Sequence, residues 1–218
     1  MASGIRPLLL GHRGARALKS IPENTFASFD RALADGGDGF EFDVRLTADA
    51  VPVICHDPRF EGIEIGQASA ERFPELPRLE SVLDRYRGGA FLDIELKVPD
   101  LESITARLLH NFPLQRVVVS SFLPEVLQAL FAEDPNIPQG LICEKESELS
   151  RWKDLPIEYV IPHHKLVALD LIAEWKRANK KILVWTVNSP ARMRRLKAWG
   201  VDGIISDNPK LLVQTLSA

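Results

Sequence analysis

Cysteine is nearly absent from the 218-residue chain, which has only Cys55 and Cys143. Two thiols cannot build a disulfide framework, and Cys55 sits inside the apolar run Val51–Cys55 like a small core residue. An excess of charge of one sign is also missing: 27 basic and 30 acidic side chains leave a net charge of −3. That balance gives no electrostatic case for nucleic acid or for stable association with an anionic membrane, so any cations that hold a phosphate must be local. Long apolar runs are absent too. The opening MASGIRPLLLG carries one basic residue and a three-leucine run, too short for the apolar core of a signal peptide. No stretch approaches transmembrane length. The expectation is a cytoplasmic protein. There is no linker, low-complexity segment or solenoid-type repeat, and the length suits a single domain over residues 1–218 with a sizeable core.

What the chain does contain is a repeated beat of short β-prone runs and helical periods. An apolar run ends in His12, Arg13 and Gly14, and a helix with Phe26, Phe29, Ala32 and Leu33 at three-and-four spacing follows. Asn24 or Thr25 can cap that helix, and Gly36-Gly37 closes it. A strand over 40–45 turns at Thr47-Ala48-Asp49 and runs back over Val51–Cys55; the turn is too short for a parallel crossover, so this is a hairpin excursion at a rim. After a helix at Leu79–Tyr86 come six further strands, at 91–96, 117–120, 140–143, 159–162, 182–187 and 203–206. Each is followed by a helical segment, a weak acidic one over Glu146–Trp152 included. Counting the first two strands gives eight strand–helix units. Such alternation means a parallel sheet, and eight repeats point to an α/β fold of the (β/α)8 TIM-barrel type. An open doubly wound sheet is the alternative that periodicity alone leaves standing.

The chemistry-bearing residues gather at the C-terminal ends of those strands, where barrel enzymes build their sites. Glu41 and Asp43 are two apart, so on a strand both carboxylates face one side while Phe40, Phe42 and Val44 face the other. With Glu95 they make an all-oxygen set that suits Mg²⁺ or Ca²⁺ and argues against zinc. The structural alternative is ion pairing with Arg13, Arg45 or Lys97. Asp93 shares the face of Glu95 and Lys97 and reads as a deeper partner of Lys97 rather than a ligand. His12 and His56 are the acid/base candidates, since imidazole titrates near neutrality. Asp57 either orients His56 or caps the turn before Pro58. Arg13 and Lys97 suit a singly charged phosphodiester, and Trp185 is a candidate wall for the substrate's carbons. Glu23-Asn24-Thr25 reads as a helix cap, and His110, His163 and His164 as surface or packing residues, the last two with a minor substrate role open from their rim position.

These blocks resemble the glycerophosphodiester phosphodiesterase family. The pattern His-Arg-Gly, Pro-Glu-Asn-Thr, Glu-x-Asp, Thr-x-Asp, His-Asp is matched by His12-Arg13-Gly14, Pro22-Glu23-Asn24-Thr25, Glu41-Phe42-Asp43, Thr47-Ala48-Asp49 and His56-Asp57. Later blocks are similar at Glu95-Leu96-Lys97, Ser120-Ser121-Phe122, Trp185-Thr186-Val187-Asn188 and Gly203-Ile204-Ile205-Ser206-Asp207. The resemblance implies a TIM barrel, metal ligation by Glu41, Asp43 and Glu95, and hydrolysis of glycerophosphodiesters to glycerol 3-phosphate and an alcohol. It leaves open which histidine is the base, and whether a neighbouring glycerol hydroxyl or water attacks. A phospholipase C-like or sphingomyelinase D-like barrel enzyme and a non-catalytic phosphate-binding barrel are the alternatives. One departure stands out. After His56-Asp57 the sequence PRFEGIEIGQASAERFPELPRLESVL lacks the Arg-Thr-Thr-like block and insertion common in relatives, which implies a reduced insertion and an open rim.

Overall fold

The computed structural model describes residues 6–217. In chain order its first half runs β1 (Leu8–His12), α1 (Phe26–Ala34), β2 (Gly39–Leu46), β3 (Pro52–Ile54), β4 (Arg59–Phe60), β5 (Ile63–Glu64), α2 (Leu79–Tyr86) and β6 (Phe91–Leu96). The second half runs α3 (Glu102–Leu109), β7 (Val117–Ser121), α4 (Pro124–Glu133), β8 (Gln139–Cys143), β9 (Tyr159–Pro162), α5 (Leu169–Arg177), β10 (Lys181–Val184), α6 (Pro190–Ala198), β11 (Gly203–Ser206) and α7 (Pro209–Leu216). Strands β1, β2, β6, β7, β8, β9, β10 and β11 pair in parallel in that order, and β11 pairs back to β1. The closed eight-stranded barrel of the sequence reading is therefore present, and the open doubly wound sheet is not.

Alternation along the strands sorts the side chains. Phe40 and Phe42 point outward from β2, and Phe40 stacks on Phe29 of α1 with centroids 4.2 Å apart and edge-on to Tyr86 of α2. Leu10, Phe91, Val118, Ile142, Tyr159, Ile161, Leu183 and Ile205 point inward and form one cluster. They fill the barrel interior beneath the polar groups, so the barrel is a packed core and not a pore. Each buried aliphatic or aromatic side chain of this kind contributes roughly 1.5–3 kcal/mol.

Two segments depart from the sequence reading. Glu146–Trp152 is not an α-helix but lies within a 3₁₀ segment, Glu146–Asp154, of which only Leu149 is buried. With one anchor to the core, nothing rewards the longer helical ladder. The segment after Asp57 is not a plain connection. Glu61 and Gly62, both with positive φ, turn β4 into β5, and two short 3₁₀ turns follow. Val53, Ile65, Phe73 and Leu76 give it a small apolar core of its own. The Glu-Gly pair between Phe60 and Ile63 is a hairpin signal that the sequence reading missed. The excursion of β3 back along β2 is antiparallel, as expected, with Val44 opposite Ile54.

Candidate active site

His12 is the last residue of β1, and the chain turns sharply behind it. Arg13 takes a positive φ of 51° and Gly14 one of 81°. A Cβ on Gly14 would lie 2.3 Å from the Ser28 hydroxyl, so this turn needs glycine. The turn aims the Arg13 backbone N–H at Glu41 Oε2, 3.0 Å away, and its guanidinium at Glu23 Oε1 and Asp43 Oδ2, at 2.6 and 3.2 Å. Burial opposes the Arg13 charge, but Asp43, Glu23 and Glu41 outweigh it and raise its pKa.

The Pro22–Thr25 motif does more than the capping expected of it. Only Thr25 caps α1, accepting from the Ser28 N–H at 3.2 Å. Asn24, held at a φ of 58°, donates to Asp43 Oδ2 at 2.8 Å, while Glu23 clamps Arg13 and Arg16. Glu23 and Asn24 are thus supports of the polar cluster.

Register does the rest. Glu41 lies opposite Asp93, and Asp43 opposite Glu95, across the β2–β6 pair. Glu41, Asp43 and Glu95 are all buried, and each offers an oxygen within 4.8 Å of the others. Lys97 lies 2.6 Å from Glu95 Oε1 and 3.2 Å from Asp43 Oδ1. Arg45 is not a partner of the acids; it donates to the His56 carbonyl at 2.8 Å and ties that loop to β2. Nor does Asp93 pair with Lys97, contrary to expectation. Lys97 reaches the nearer acids at the strand end, and Asp93, a layer deeper, accepts instead from the Ser120 hydroxyl at 2.6 Å.

Electrostatics separates these acids. Burial would raise Asp43, but Lys97, Arg13 and Asn24 hold it below its ordinary value. Burial and then Asp43 push Glu95 up to about 7 against the pull of Lys97. Burial, Asp43, Glu95 and Asp93 push Glu41 well up. Glu41 Oε1 is buried without a hydrogen-bond partner, and Asp43 Oδ1 has only the Lys97 ammonium beside it. An orphaned oxygen in an all-carboxylate set whose members repel one another is what a hard divalent cation would satisfy, so the residues fit the Mg²⁺ or Ca²⁺ site that their chemistry implies.

The two histidines flank this cluster. His12 Nε2 lies 3.8 Å from Glu41 Oε2, and Nδ1 lies 2.7 Å from Asp207 Oδ1. Burial opposes ionisation of Asp207, but His12, Asn188 and Arg16 hold its pKa far below the usual range. An ionised carboxylate only accepts, so Nδ1 carries the proton and Nε2 is free to take one. Asp207 had no role assigned from the sequence, although a polar residue just beyond a strand's C-terminal end was the signal. His56 Nδ1 lies 2.7 Å from Asp57 Oδ1, so of the two roles open to Asp57, orienting the ring is the one that the contact supports. A cavity of about 340 Å³ joins His12, His56 and the charged cluster to Phe122 and Trp185, which meet edge-to-face at 5.5 Å. Trp185 is fixed by a 3.0 Å bond from its indole N–H to the Ile161 carbonyl. His163 and His164 do not line this cavity; His163 meets Trp185 edge-to-face, and His110 lies elsewhere on the surface.

The model of the glycerophosphoryl diester phosphodiesterase family matches residues 12–73 and 65–211. The chain belongs to the glycerophosphoryl diester phosphodiesterase family. Membership makes it an enzyme, a hydrolase of phosphodiesters. A glycerophosphodiester phosphodiesterase of Caldanaerobacter subterraneus is 30% identical, covering 96% of this chain and 97% of that one. One of Bacillus subtilis is 27% identical over 94% of this chain and 85% of its own. Among solved structures, a glycerophosphodiester phosphodiesterase of Agrobacterium tumefaciens superposes with a TM-score of 0.83 at 25% identity, covering 95% and 99% of the two chains. A phosphodiesterase of Oleispira antarctica, solved with sn-glycerol-3-phosphate, gives 0.85 at 24% identity and 98% coverage of both, which supports the fold. Among the described residues, no helix is long and apolar enough to cross a membrane.

Proposed function

We propose that the chain, as a single catalytic domain, hydrolyses glycerophosphodiesters to glycerol 3-phosphate and an alcohol, with Glu41, Asp43 and Glu95 holding Mg²⁺ or Ca²⁺. The observation that carries this reading is the pairing of an all-carboxylate, part-orphaned cluster with two carboxylate-oriented histidines in one cavity. Bound there, the cation would polarise a phosphoryl oxygen and lower the pKa of a coordinated hydroxyl.

The chain's own groups divide the remaining work. Arg13 and Lys97 neutralise the phosphodiester and fix its plane. Trp185 and Phe122 wall the cavity against its carbons. His12, with Nδ1 tied to Asp207, takes the proton of the attacking hydroxyl on Nε2. As the new O–P bond forms, the bond from phosphorus to the leaving alcohol breaks. That alcohol's oxygen takes a proton from His56, whose ring lies at the open side of the cavity. With water as the attacker this gives glycerol 3-phosphate at once; with the glycerol's own neighbouring hydroxyl it gives a cyclic phosphate, which a water then opens to glycerol 3-phosphate. Burial lowers the His56 pKa, with Arg13 and Lys97 adding to the fall and Asp43 and Asp57 opposing it. An anionic diester beside the ring works with those two carboxylates and favours the charged, donating form.

The assay is release of glycerol 3-phosphate from glycerophosphocholine with added Mg²⁺ or Ca²⁺. Chelation is expected to abolish turnover, either ion to restore it, and Glu41→Ala to reproduce the chelated state. Full activity in excess chelator would overturn the metal assignment, and release of phosphocholine in place of glycerol 3-phosphate would overturn the bond assignment.

A further inference from the structure

Apolar side chains and one acid outside the cation cluster share the inner wall of the active cavity. Ile142, Ile161 and Ile205 line it from β8, β9 and β11, and Asp93 of β6 lines it too, level with Glu41 in the register and two residues deeper on its strand than Glu95. Asp93 is 1% exposed, yet it lines the cavity. Its one side-chain hydrogen bond among the described residues comes from Ser120, to Oδ1. A carboxyl group can accept about four hydrogen bonds, so most of the Asp93 capacity is unspent at a point that substrate reaches. The function proposed above gives this acid no task. Although it lies opposite Glu41, it is not among the acids whose oxygens come mutually close, which are Glu41, Asp43 and Glu95.

We propose that Asp93 is a specificity residue that holds the terminal hydroxyl of the substrate's glycerol. This rests on the proposed hydrolysis and goes a step further, into which half of the substrate the closed end of the cavity reads. The phosphate is fixed at the rim by Arg13 and Lys97, and the leaving alcohol departs past His56 on the open side. The half that stays with phosphorus therefore descends toward the floor. Its carbons meet the three isoleucines, but its far hydroxyl would be left unpaired among them if Asp93 did not accept it. A buried hydroxyl without a partner is costly, and a site with an unspent acceptor correspondingly rejects an analogue that lacks the hydroxyl.

The test compares glycerophosphocholine with its analogue built on propane-1,2-diol, which lacks only that terminal hydroxyl. The wild-type enzyme is expected to prefer the glycerol substrate by at least about tenfold in kcat/KM. In Asp93→Val, which keeps the volume and the strand preference, the two substrates should come within about twofold. The change should appear as a raised KM for the glycerol substrate, with its kcat and the rate for the analogue little altered. Should Asp93→Val not fold, Asp93→Ala carries the same expectation. Calorimetry of Mg²⁺ or Ca²⁺ alone should give the same affinity in wild type and variant; about a tenfold loss would make Asp93 a ligand and overturn the proposal. A second arm is independent of turnover, measuring binding of glycerol 3-phosphate and of 2-hydroxypropyl phosphate to both proteins. Equal wild-type affinity for the two would overturn the Asp93 role even with hydrolysis intact, whereas discrimination in binding without turnover would uphold it and sink the hydrolytic reading instead.

Discussion

Where β1 meets β11, His12 is buried behind Asp207, whose other oxygen accepts from Asn188 at 2.6 Å and which also lies 3.4 Å from Arg16. The loop after β3 is built differently. His56 is 36% exposed there, and its partner Asp57 is 75% exposed with no further support among the described residues. The same imidazole–carboxylate pair, 2.7 Å apart in both, is thus held once in a low-dielectric corner and once in water. A hydrogen bond to a carboxylate weakens as solvent competes for it, so the first pair is strong and rigid while the second only biases a ring. That difference suits a base that must meet a fixed nucleophile beside the cation cluster, and an acid that must follow a varied alcohol leaving through an open rim.

The largest expected effects separate the two rings by the proton each handles. His12→Ala and His56→Ala should each cost about a hundred- to ten-thousand-fold in kcat/KM while the protein stays folded. A substrate with a nitrophenol-type leaving group needs no acid, so it should restore most of the rate to His56→Ala and none to His12→Ala. Rescue of His12→Ala instead would reverse the assignment of base and acid.

Next come the two carboxylates. Asp207→Asn keeps the shape but removes the charge that fixes the His12 tautomer, and it should cost about a hundredfold. Asp57→Asn should cost about tenfold or less, because the pair it breaks is exposed. Its signature is a shift in pH dependence rather than a loss of rate. Asp57 raises the His56 pKa, so the asparagine variant has a lower one. An acid works below its pKa, and the alkaline limb of the kcat/KM profile should therefore move to lower pH. An unmoved limb, or one that moves up, would mean that His56 is not the proton donor seen in that profile.

The contrast between the corners also marks what the sequence could show. A parallel α/β sheet was legible because β-prone runs and helical periods alternate eight times, closure into a barrel rested on the family resemblance, and the acids were legible because Glu41 and Asp43 share a strand face. Support contacts were not. Asp207 lies 195 residues from His12, and only the pairing of β11 with β1 brings them together. Asn24 looked like a helix cap because its type is at home there, yet a left-handed backbone turns its amide onto Asp43. Asp93 looked like a partner for Lys97 from spacing on one strand, while the acceptor geometry was decided by Ser120 on the next. Local pattern places a residue on a face; neighbouring strands decide what it touches.

The smallest expected effect lies on the exposed side of the comparison, in the choice of leaving alcohol. The segment after Asp57 does build a wall of sorts, the β4–β5 hairpin, and between it and the Pro22–Thr25 loop lies a cleft of about 450 Å³ that shares His56 with the catalytic cavity. Asp57, Arg59, Glu61 and Glu75 on its rim are exposed. Arg59 is already engaged with Glu64 at 3.2 Å, through a pair too exposed to be rigid. Charges of this kind are screened and pay little toward recognition, typically under about 1 kcal/mol each. Choline, ethanolamine, glycerol and serine diesters should accordingly differ by no more than about tenfold in kcat/KM, or roughly 1.4 kcal/mol. The glycerol half, read at the closed end, should discriminate at least as sharply as the whole range of head groups. One head group favoured a hundredfold would show that the hairpin wall reads the alcohol as closely as the barrel floor reads the glycerol, and the division between a rigid and a permissive side would fail.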